Sequence, residues 1–135
     1  MTLSTLDRTD TMSFRSAFEA ERLKRDADRR AREDAERARQ EADEARSVQL
    51  YEALAADPGF LAEAGLTLDR SRYTVMLEHS DFRLRAYFED AQITVTSADK
   101  RSATTITAAP TKQEVVDSVD QALGVLAQYL ADETH

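Results

Sequence analysis

Two histidines are the first residues to test for chemistry. His135 is the last residue of the chain, and His79 follows Glu78 and precedes Ser80 and Asp81. An imidazole with two carboxylates is a donor set for a divalent cation, or a general acid–base group with its partner. Three polar residues within four positions of a turn far more often satisfy the turn itself, so this cluster is read as turn chemistry. Ser and Thr are plentiful, but none stands in a nucleophile-elbow sequence. Gly59, Gly65 and Gly124 are isolated, which excludes a glycine-rich phosphate cradle. There is no Cys, hence no thiolate nucleophile, disulfide or Cys-ligated metal. The expectation is a chain that is not an enzyme, with no catalytic, cofactor-binding or metal-ligating residue.

Two groups of residues offer binding chemistry instead. Arg72, Arg83, Arg85 and Tyr87 fall on the polar side of an alternating pattern. Arginines beside an aromatic ring on an open sheet are a way to hold a single-stranded nucleic acid. Glu78, Asp81 and Glu89 lie close enough in sequence to neutralise that face, so it is expected to be solvated or to meet a protein. The second group is Phe14, Phe18 and Leu23, three bulky apolar side chains at the start of a highly charged segment. These are candidates for docking onto a partner, in the manner of a helix in a groove.

The element carrying the second group is an arm, residues 13–47. It holds ten basic and ten acidic residues with no Gly or Pro. Alanines and Leu23 recur along it at Ala20, Leu23, Ala27, Ala31, Ala35, Ala38, Ala42 and Ala45, steps of three and four that mark one helical stripe. Glu21–Arg25, Asp26–Arg30, Asp28–Arg32 and Glu33–Arg37 place opposite charges four apart in the favoured order, each pair contributing about 0.2–0.5 kcal/mol. High alanine propensity completes a helix of about 50 Å, N-capped by Ser13. Such a stripe suits a coiled coil between chains, although alanine buries little area and drives pairing weakly.

The remaining elements form a small head, residues 48–135. Val48, Leu50, Tyr51 and Leu54 should carry the helix into a core. Asp57-Pro58-Gly59 ends it and opens a short helix from 59 to 64, closed by a left-handed Gly65. Tyr73, Val75 and Leu77, then Phe82, Leu84, Ala86 and Phe88, then Ile93 and Val95, alternate with polar neighbours. With Thr105–Thr107 they make a four-stranded antiparallel meander with one buried face. Thr111-Lys112-Gln113-Glu114 reads as a capping box opening a last helix whose Val116, Val119, Leu123, Leu126 and Leu130 cover the sheet. Residues 1–12 have no period and are expected to be a disordered tail.

This helix–strands–helix order is similar to that of double-stranded-RNA-binding domains, which carry a basic cluster opening the last helix. Here that turn has Lys112 followed by Glu114 and Asp117, so no RNA-binding role is carried over. The order is also similar to that of small YbaB-type nucleoid-associated dimers, at the level of element order alone.

Charge and size complete the expectation. Net charge is −8, and the head carries seven basic residues against fourteen acidic ones, while the arm is neutral. An acidic head disfavours nucleic acid and anionic membranes. No segment approaches the ~20 apolar residues that cross a bilayer, and residues 1–12 lack the apolar core of a signal peptide. A head of this size is marginal alone, and oligomerisation is a common remedy. The reading is an α+β cytoplasmic adaptor or scaffold, a homo-oligomer with dimer favoured, binding another protein through arm and head. The alternative is a nucleic-acid-associated regulator using the arginines of the arm or sheet.

Overall fold

A computed structural model describes residues 13–101 and 110–134. Helix α1 (Phe14–Ala55) is followed by α2 (Pro58–Glu63), then β1 (Thr67–Ser71), β2 (Thr74–Glu78), β3 (Phe82–Glu89), β4 (Gln92–Asp99), β5 (Pro110–Val116) and α3 (Val119–Glu133). The chain divides into two compact units within α1, between Ala38 and Arg39.

In the first unit the described residues form helix from Phe14 onward. Ser13 caps it, its hydroxyl accepting from the Ser16 amide at 3.1 Å. Ion pairs run along it at i,i+4 and i,i+3: Arg15–Glu19 at 3.8 Å, Glu21–Arg25 at 3.0 Å, Asp26–Arg29 at 3.3 Å and Asp34–Arg37 at 3.0 Å. All lie at the surface, so each adds only a few tenths of a kcal/mol and weakens with salt.

In the second unit the five strands pair in chain order as one antiparallel meander. The expected sheet had four strands. Three of those are β2, β3 and β4; the fourth, at Thr105–Thr107, lies outside the described residues, as does the tail at 1–12. The two strands not foreseen are the edges. In β1 the sequence TLDRS offers one apolar residue, Leu68, and no alternation. In β5 the sequence PTKQEVV buries only Val116. The expected helix start at Thr111 is therefore corrected: Thr111–Glu114 is strand, and the capping box belongs to Ser118 and Gln121. Both stretches fit the same four-residue pattern, seven positions apart, and pairing of β5 with β4 selects the second.

One face of the sheet is covered. Val75, Leu77, Phe82, Leu84, Ala86, Phe88, Ile93 and Val95 point into the core, joined by Leu50 from α1 and by Ala122, Val125, Leu126 and Tyr129 from α3. Val119, Leu123 and Leu130, expected to cover the sheet, are partly buried and pack against this core. Gly65 ends the α2 turn at φ 70°, and a Cβ there would press on the His79 ring at 3.3 Å.

The last turns of α1 also hold the ends of the sheet. The β3–β4 hairpin turns through Asp90 and Ala91, with φ 51° and 65°, the pattern of a type I′ turn. Alanine is costly in that conformation. Asp43, buried on α1, accepts both turn amides, Asp90 N–H at 2.9 Å and Ala91 N–H at 3.0 Å. Arg46 donates to the Ala91 carbonyl at 2.8 Å and to the Asp117 carbonyl. Ser47 donates to the Arg72 carbonyl at 2.7 Å in the β1–β2 turn and accepts from Arg70 at 3.2 Å. Replacing Ala91 with Gly is expected to raise stability by about 1 kcal/mol, read as a higher urea midpoint at unchanged slope.

Candidate functional site

The polar turn does not converge on a common point. Glu78 accepts from Arg83 and, at 2.9 Å, from Lys100. Lys100 also donates to the His79 carbonyl at 2.6 Å, so the group ties the β2–β3 hairpin to the end of β4. His79 stacks on Phe82 with centroids 4.3 Å apart, and its Nδ1 accepts from the Asp81 amide at 3.0 Å. Each member of the turn thus has a structural partner. Ser97 is a fully buried hydroxyl with no hydrogen-bond partner among the described residues, hence no base to activate it.

Burial alone would raise the Glu78 carboxyl, but hydrogen bonds from Arg83 and Lys100 and their charges outweigh it and hold its pKa below 4.5. A carboxyl lowered by folding stabilises the protein above its unfolded pKa and loses that contribution as pH falls through the folded value. Stability should therefore decline below about pH 4.5. In Glu78→Gln the neutral-pH stability should be lower and the acid decline shallower. Urea titrations from pH 7 to pH 3 measure both.

The open face of the sheet brings together only part of the arginine group. Register places Asp69, Met76, Arg85, Thr96 and Gln113 in one row, and Ser71, Thr74, Tyr87, Thr94 and Val115 in the next. Arg85 and Tyr87 line a shallow depression of about 210 Å³ with Thr94, Thr96 and Pro110. The charge of Glu89, with burial, pushes the Tyr87 phenol up. Arg83 is engaged by Glu78. Arg72 sits in the β1–β2 turn at φ 52°, over the Tyr73 ring at 5.1 Å and 3.9 Å from Glu44. Arg83, Arg85 and Tyr87 thus share the open face of β3, with Arg83 tied to Glu78, while Arg72 lies apart in the turn.

Helix geometry also divides the apolar group on the arm. At about 100° per residue, Phe18 lies about 40° round the helix from Phe14, whereas Leu23 lies about 180° from it. Phe14 and Phe18 form one face, with Arg22 over the Phe18 ring at 5.9 Å; Leu23 belongs to the alanine stripe on the other side. Phe14 is 90% exposed, and Phe18 and Leu23 are also exposed.

A further surface was not singled out from the sequence. An apolar groove of about 450 Å³ lies between the end of α1 with α2 on one side and α3 on the other, lined by Leu54, Phe60, Leu61, Leu123, Leu126 and Leu130 among others. Phe60 remains half exposed at its edge. The signal was present in α3, where Leu123, Ala127, Leu130 and Ala131 add a second apolar face beside the one on the sheet. A helix apolar over more than one stripe has more to bury than a single contact covers. Comparison with protein-family models, with curated proteins and with solved structures finds no match for the chain.

Proposed function

We propose that this protein is a non-catalytic, cytoplasmic, oligomeric adaptor: a helical arm for self-association or partner docking joined to an α+β head that binds protein. The observation that carries the reading is the set of bulky apolar side chains held exposed on the arm, above all Phe14 and Phe18. An aromatic pair one turn apart on an otherwise charged helix forms an anchor of the kind seen in helix-in-groove recognition. The alanine stripe with Leu23 offers a second, weaker seam on the other side, suited to coiled-coil pairing. No helix among the described residues is long and apolar enough to cross a membrane.

The arginine-based reading, a nucleic-acid-associated regulator, has less support. Arg83 is held by Glu78, Arg72 lies apart in the β1–β2 turn beside Glu44, and Arg85 is the arginine that lines the depression with Tyr87. Light-scattering mass after size exclusion, at low and at high salt, tests the adaptor reading. A dimer or larger species is expected, weakened by salt if the alanine stripe with its flanking charges is the seam and little affected if the aromatic face is. A monomer under both conditions, with a duplex or single strand shifted at low salt, would replace it with the nucleic-acid reading.

A further inference from the structure

We infer that Arg85 anchors a subsite on the open face of the sheet that takes a single carboxylate, an Asp or Glu side chain, from a partner protein; this rests on the adaptor reading and names what the head recognises. The observation is which cation is left unengaged. Arg39, Arg72, Arg83, Lys100, Arg101 and Lys112 are each paired with a carboxylate. Arg46 and Arg70 donate to backbone carbonyls. Among the described residues of the second unit, Arg85 alone of the basic side chains has neither kind of partner. Its charge and its forked N–H donors are open to a ligand.

Its place is central. β3 is the middle strand of the five, and Arg85 lies midway along it, with Met76 and Thr96 across and Tyr87 next on the same face. The depression it lines with Tyr87, Thr94, Thr96 and Pro110 holds about 210 Å³. Pockets for free small molecules run to about 300–1,000 Å³, so this one suits a single inserted side chain. An arginine beside an exposed tyrosine at the centre of a surface is the composition of an interface anchor. A guanidinium meets a carboxylate through two parallel hydrogen bonds, and the Thr94 and Thr96 hydroxyls supply further donors at its edge. Charge narrows the class. One free positive charge matches one negative charge. Asp69 stands in the row of Arg85, Glu89 follows Tyr87 on the same face, and residues 48–135 carry fourteen acidic side chains against seven basic. A phosphodiester chain or a run of acids brings more negative charge than one arginine offsets. The fitting ligand is an isolated Asp or Glu in an otherwise neutral or basic segment.

Two capped tripeptides, Ser-Glu-Ser and Ser-Gln-Ser, titrated into the isotope-labelled full chain and followed by amide NMR, test the assignment. The glutamyl peptide should shift the amides of Arg85, Tyr87 and Thr96 saturably, with a Kd about tenfold below that of the glutaminyl peptide. Arg85→Gln should erase that preference with the rest of the spectrum unchanged, because the side chain it removes holds nothing else in place. Lys112→Gln, on the covered side of the sheet, should keep it. If neither peptide shifts these amides, if the two bind alike, or if the preference survives Arg85→Gln, the carboxylate assignment is overturned. The adaptor reading is decided separately, by the mass of the chain in light scattering. If a short oligothymidylate shifts the same amides at lower concentration than the glutamyl peptide, and Arg85→Gln abolishes that response, the face belongs to the nucleic-acid reading and the assignment is likewise overturned.

Discussion

Asp43→Ala should lower the stability of the head by about 3 kcal/mol, the loss expected for two hydrogen bonds to a charged acceptor. The carboxylate is 6% exposed and accepts both amides of the type I′ turn. That turn places Ala91 at φ 65°, where only glycine is at ease, so the carboxylate stabilises a conformation the turn's own residues disfavour. Asp43→Asn keeps one acceptor oxygen and should cost about half as much, since an amide nitrogen cannot accept. In thermal unfolding the alanine variant should fall by more than 10 °C, at about 4–8 °C per kcal/mol for a domain of this size. Asp43→Ala combined with Ala91→Gly should recover part of the loss, because the strain that the carboxylate offsets is then gone. A variant as stable as the wild type would show that the turn forms without the helix.

Leu50→Ala should be at least as damaging, about 3–4 kcal/mol, through lost burial and the cavity left behind. Leu50 is fully buried and is the only large apolar residue of α1 in that condition. It is the point at which α1 joins the core made by the sheet and α3. Leu50 and Asp43 lie two helical turns apart and hold different parts of the sheet, so the double variant should lose nearly the sum. Chemical unfolding followed by circular dichroism measures each, and a loss under 1 kcal/mol for Leu50→Ala would mean the end of α1 is not part of the folding unit.

The buried face of the sheet was legible because strict alternation survives wherever one side is covered: Val75 and Leu77, Phe82 to Phe88, Ile93 and Val95 all point inward. The cap at Asp57, the proline after it and the left-handed Gly65 were legible for the same local reason, each being fixed by its own backbone chemistry. The edge strands were not. An edge strand packs against one neighbour, so β1 and β5 need few apolar residues, and Thr111–Glu114 imitated a helix start. The role of Asp43, Arg46 and Ser47 was hidden in a charge-rich run, where nothing local distinguishes a carboxylate that holds a turn from its solvated neighbours. Of the candidate binding residues, the arm's aromatics were visible by type, but only helical phase separates Phe14 and Phe18 from Leu23. The groove required two helices distant in sequence to be brought side by side, which periodicity within either one does not reveal.

The adaptor account depends most on the aromatic face of the arm. Sedimentation equilibrium of the full chain over a wide concentration range, beside the Phe14→Ser, Phe18→Ser double variant, addresses it directly. These side chains are exposed on a helix, so the double variant should keep the wild-type circular dichroism. The account predicts a wild-type mass at or above that of a dimer and a monomeric variant at the same concentrations. Two monomers would contradict it, and two associated species of equal mass would move the seam from the aromatic face to another surface of the chain.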